Sequence, residues 1–216
     1  MKQILYCLGM WMSCFGLLAQ DNGHNSPYLF DKFQDCLIVY KDGRQFEAPI
    51  NYHLLKSYFV FIDRADQKEK EFSNPELIAV LRIGGRSFLP NERSATEVIQ
   101  ADPKFHVIYT GNIRKAPKKT SYGGTTQTAP VDNFSGLSGN GMISGTRDDN
   151  RIVTSINKTY EVKIGKKTKR FYNKNSFLKL YSNAEQVKLD SYIKTNHIDF
   201  KSVEQVLELY NFSLSK

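Results

Sequence analysis

The stretch "CLIVYKDGRQFEAPINY", residues 36–52, decides the fold. Cys36 to Tyr40 is apolar and β-branched, as a strand requires. Asp42-Gly43 follows, and glycine accepts the positive φ of a tight hairpin turn. Phe46, Ala48, Ile50 and Tyr52 then alternate, so one face of the returning strand is apolar. The pattern continues outward. Residues 58–62 form a third run, long enough for a strand and too short for a helix. Residues 63–71 are a charged connection, Phe72 marks a short fourth strand, and residues 77–83 give a fifth, closed by Gly84-Gly85. Phe88 and Leu89 lead to Pro90, which is expected to end the unit.

Several short strands without an intervening helix predict a small barrel or a tightly curled sheet. A strand, Asp-Gly and a bent second strand resemble an SH3-like or Sm-like barrel. Phe105, Val107 and Tyr109 alternate and add a strand. Residues 115–150 are rich in Gly, Ser and Thr, and too poor in large apolar side chains to offset the entropy of ordering. They are expected to be a flexible loop or linker. Ile152, Val153 and Ile156 mark one later strand, and Tyr160, Val162 and Ile164 another, before a turn at Gly165-Lys166-Lys167. From Asn175 the apolar period becomes helical. Ser182 with Glu185, and Ser202 with Gln205, each read as a capping box. Val203, Val206, Leu207, Tyr210 and Leu214 then lie on one helical face. The fold class is therefore α+β: an antiparallel β-rich unit (21–114), the loop (115–150), then a β-hairpin with two to three C-terminal helices (151–216) packed with the β-rich part.

Residues 1–3 are a short basic start, residues 4–19 are almost wholly apolar, and Gln20-Asp21-Asn22 is abruptly polar. That order predicts a secretory signal peptide over residues 1–20, cleaved at Ala19 or Gln20. The apolar run is shorter than the roughly 20 residues that span a bilayer. An uncleaved anchor is the alternative. A lipidated Cys14 is disfavoured because residues 15–19 are still apolar, where a polar tether is the norm. The expected location is the periplasm, the outer surface or the extracellular space. Beyond the signal segment only Cys36 remains, so no internal disulfide forms.

These features together resemble a group of uncharacterised secreted proteins from Bacteroidota-type bacteria. The resemblance rests on the Ala-Gln exit of the signal segment, the strands "VYKDGRQFEAPINYHLLKSYFVFID", the Gly/Thr-rich middle and the tail "FLKLYSNAEQVKLDSYIKTNHIDFKSVEQVLELYN". It implies a bacterial envelope location and carries over no catalytic residue.

Charge supplies the one anomaly. The chain is +8 overall, yet residues 104–179 hold 15 basic and 4 acidic side chains. "KIGKKTKRFYNK", residues 163–174, sits within that block. Lys163, Lys166, Lys167, Lys169 and Arg170, with Phe171 and Tyr172 behind them, are the candidate anion-binding residues. The plainer reading is a hairpin whose lysines keep a sheet edge soluble. His24, His53, His106 and His197 have no ligand spacing, and Asp148-Asp149-Asn150 lacks the glycine and distal glutamate of a calcium loop, so no metal or other cofactor is expected. The glycines at 139–145 follow polar sequence rather than a strand, which disfavours a phosphate cradle. The serines at 135–139 lack the strand-to-helix setting of a nucleophile elbow. No catalytic residue is assigned. The reading is a secreted envelope protein for binding or assembly. Its expected partners are an anionic envelope polymer, lipid headgroups or another envelope protein, with nucleic acid disfavoured. An envelope hydrolase with dispersed catalytic residues is the alternative.

Overall fold

The computed structural model describes residues 26–91, 94–116, 118–119, 125–126 and 151–215. The signal segment, His24, and the glycine, serine and aspartate motifs within 127–150 lie outside the described residues.

The opening hairpin is β1 (Gln34–Tyr40) and β2 (Gln45–His53), paired antiparallel across a turn with Gly43 at φ +88°. β3 (Tyr58–Ile62) adds to β2, and the charged β4 (Glu69–Glu71) adds to β3. A single helical turn at Pro75–Leu77 carries the chain back, and β5 (Ile78–Ile83) pairs with the other side of β1. From there β6 (Arg86–Asn91), β7 (Ser94–Gln100) and β8 (Phe105–Lys115) meander outward. The two-residue β9 (Lys118–Lys119) and β10 (Thr125–Thr126) pair, among the described residues, only with each other. β11 (Arg151–Ile164) returns along β8, and β12 (Lys167–Phe171) completes the sheet.

The result is one ten-stranded antiparallel sheet in the order β12-β11-β8-β7-β6-β5-β1-β2-β3-β4. That order is linear and the sheet is open, so the expected SH3-like closure does not occur. The sheet curls instead. Phe59 of β3 lies 6.1 Å from Phe88 of β6, ring centre to ring centre, and a Cβ on Gly111 of β8 would come within 3.2 Å of Leu54. Phe88 and its neighbours Ile50, Leu81 and Ile83 are almost completely buried inside this curl.

Pro90 does not end the strand. The β5 ladder stops at Phe88, so beyond it no described strand pairs with the β5 side of β6, and a missing N–H costs no ladder bond there. β11 is likewise one strand rather than two, kept continuous by a register shift between Val153 and Ser155.

The same sheet face continues to the β8-β11-β12 end, where helices cover it. They are α1 (Lys174–Leu178), α2 (Asn183–Thr195) and α3 (Val203–Leu214). Ser182 and Glu185 form the expected capping box. Ser202 caps α3 by accepting from the Gln205 N–H at 3.3 Å, but the Gln205 side chain instead accepts from the Asp199 N–H at 2.7 Å. Between helices and sheet lies an aromatic layer. Phe105 contacts Tyr160 and Tyr210, and Phe171 stacks on Tyr160 at 5.2 Å and meets Phe177 at 4.8 Å. Each such ring contributes about 1.5–3 kcal/mol by burial. The tyrosine hydroxyls keep partners: Tyr160 donates to the Phe200 carbonyl at 2.7 Å and Tyr210 to the Lys163 carbonyl at 2.6 Å.

Candidate functional site

The basic hairpin is β11–β12, and its cations divide between two faces. Register pairs Glu161 with Arg170 and Lys163 with Thr168, which places Lys163 and Arg170 on the outer face. Val162 pairs with Lys169 and Ile164 with Lys167, so these two lysines emerge on the helix side, at the sheet's edge. Lys166 stands in the turn, beside Gly165 at φ +59°.

Arg170 is committed locally. Its Nε and Nη2 both reach Glu161 Oε2 at 2.7 Å, and Lys104 Nζ holds the other carboxylate oxygen. Burial pushes the Glu161 pKa up, but the hydrogen bonds from Lys104 and Arg170 outweigh it and leave the carboxyl below its ordinary range. His106 lies opposite Glu161, and burial and then Lys104 push its pKa down. Lys163, Lys166, Lys167 and Lys169 are exposed, and none forms an ion pair among the described residues.

The two aromatic candidates separate. Phe171 is 1% exposed and belongs to the aromatic layer, so it has no face to offer a ligand; this corrects its assignment as a binding residue. Its position opposite Tyr160 on an alternating strand dictates that burial. Tyr172, one residue on, is 64% exposed.

Tyr172 borders a groove that sequence reasoning did not find. Among the described residues β12 pairs only with residues 160–164 of β11, and at Tyr172 the chain leaves the sheet for α1. Beside residues 155–159 of β11 this leaves an open groove of about 830 Å³. Its far wall is Tyr172, Phe200 and Lys201. Lys158 rises from the strand into it and donates to the Lys201 carbonyl at 2.6 Å. The signal was the mismatch between a five-residue and a fourteen-residue hairpin arm, which becomes visible only once register is known.

The most organised polar group elsewhere is Glu97, 4% exposed beneath β6 and β8. Arg86 grips it with two bonds of 2.7 Å, and the Tyr109 hydroxyl donates to it at 2.7 Å. Arg86 also lies over the rings of Phe30, Phe88 and Tyr109. Such closed pairing fixes strand register and leaves the carboxylate no access to a substrate. Cys36 is equally enclosed, and burial pushes its thiol up to about 12, which keeps it protonated and unreactive. Among the described residues, no group of three or more His, Cys, Asp or Glu is placed to hold a metal, and no helix is long and apolar enough to cross a membrane. Comparison with protein-family models, with curated proteins and with solved structures finds no match.

Proposed function

We propose that this chain is an exported envelope protein that binds an anionic surface or polymer through its hairpin lysines, without catalysis. One observation carries the reading: Lys163, Lys166, Lys167 and Lys169 project from a single hairpin into solvent with no ion-pair partner among the described residues. The excess of 15 basic over 4 acidic side chains in residues 104–179 supplies the surrounding field. The basic start, apolar run and polar exit of residues 1–22 support export, and an envelope exposes acidic polysaccharide and lipid phosphate.

The test is retention of the purified protein on immobilised heparin and on vesicles of anionic lipid across a salt series. Retention at about 0.05 M salt that is lost well below 1 M is expected, because exposed charges are screened over that range. A variant with Ser at Lys163, Lys166, Lys167 and Lys169 elutes at markedly lower salt. Equal retention of the variant overturns the reading.

A further inference from the structure

We infer that the outer edge of β11 at residues 155–159 is a strand-addition site for an extended segment of a partner protein that carries acidic side chains at alternate positions. The backbone argument comes first. In an antiparallel strand, alternate residues turn their N–H and C=O toward opposite neighbours. β8 takes one set along 151–162, and β12 takes the other only along 160–164. Among the described residues, no strand pairs with the outer edge of residues 155–159. The groove occupies the line on which β12 would continue, so an incoming strand lies end to end with β12 and pairs with β11 as β12 does.

Side chains specify the occupant. Lys158 pairs across the sheet with Tyr109, which sets it on the helix side of the groove, facing the Phe200-Lys201 loop. The lining holds Lys158 and Lys201 and no carboxylate. The nearby Asp199 accepts from the Lys201 N–H at 2.8 Å within the loop, while Glu204, in the first turn of α3, accepts from Ser202 at 2.9 Å and lies within electrostatic reach of Lys158 without lining the groove. The outer side of the groove is instead Asn157, Thr159 and Thr110. An added strand therefore meets cations with the side chains of one face and neutral polar groups with those of the other. A second copy of this edge would set Lys158 and Lys201 of one chain against those of the other, and like charges directly opposed disfavour self-pairing. This site is independent of the hairpin lysines.

The test begins with amide hydrogen exchange on the intact protein, which should show fast exchange at alternate positions of 155–159. Slow exchange throughout would mean that the edge is already covered, by residues 127–150 or by a second copy, and would overturn the proposal. A synthetic peptide of about seven residues alternating glutamate and threonine is then titrated in. The expected result is saturable binding with new protection at those alternate amides. A peptide with lysine replacing glutamate should not bind, nor should the glutamate peptide N-methylated along one edge. Reversal of both cations, Lys158→Glu with Lys201→Glu, should weaken the glutamate peptide about tenfold or more and admit the lysine peptide. Binding that survives N-methylation, or binding without amide protection, rejects strand addition. The variant lacking the four hairpin lysines should bind the peptide normally, so loss of polymer retention and loss of peptide binding report on different claims.

Discussion

Glu161 lies on the outer face of the hairpin with Lys104 and Arg170 on its two oxygens, and its titration links the fold to acid. In the unfolded chain the carboxyl titrates near 4.5, and in the folded protein it titrates lower. Its stabilisation is therefore complete above the unfolded value and is lost as pH falls through the folded one. His106 acts in the same direction. Its folded pKa lies below the ordinary 6.5, so the fold favours neutral imidazole, and that contribution declines as pH drops from 6.5. Stability should thus fall progressively from pH 7 to pH 3 in denaturant titrations. Glu161→Gln should cost about 1–2 kcal/mol at pH 7, the buried-pair penalty reduced because Arg170 is largely exposed, and should flatten the acid limb. An unchanged acid limb in that variant would assign the acid sensitivity elsewhere.

At the scale of elements, α3 is held by shape first and hydrogen bonding second. Tyr210 is fully buried against Phe105 and donates to the Lys163 carbonyl. Tyr210→Phe keeps the ring and strands only the carbonyl, so it should cost about 1 kcal/mol. Tyr210→Ala opens a cavity and should cost about 3–5 kcal/mol in urea unfolding. Similar costs for both would mean that the hydroxyl, not the ring, docks the helix. This helix was legible in the sequence because its apolar period and its Ser202 cap agree. The opening hairpin was legible because Asp42-Gly43 separates two apolar strands. β7 was not, since the inward positions of "SATEVIQ" include Ala95 and Glu97, and a buried glutamate reads as a surface residue until Arg86 and Tyr109 are placed beside it. The basic run was also legible, but its division between two faces was not, because register depends on the turn at Gly165. The groove beside β11 was hidden for a related reason: it is made by the place where β12 stops, and no local motif marks that residue.

Across the whole molecule, an open sheet has two ends that must not pair with other copies. β4 is short and reads Glu69-Lys70-Glu71, and β12 reads Lys167-Thr168-Lys169-Arg170-Phe171. Both are charged edges of the kind that discourages edge-to-edge association. The hairpin lysines thus blunt the last strand, and under the proposed function they also supply the field offered to an anionic partner. The two roles separate by substitution. Serine in place of the lysines removes the field but keeps a polar edge, so the variant should self-associate no more than the parent protein while polymer retention falls. Lys167→Val with Lys169→Val should instead give an apolar, β-prone edge beside Ile164 and Val162. Its unfolding free energy should stay within about 0.5 kcal/mol, because both side chains are exposed. Light scattering against concentration should nevertheless show self-association that the serine variant lacks. A valine variant that self-associates no more than the parent would show that the twist of the hairpin, rather than its charge, protects this end of the sheet.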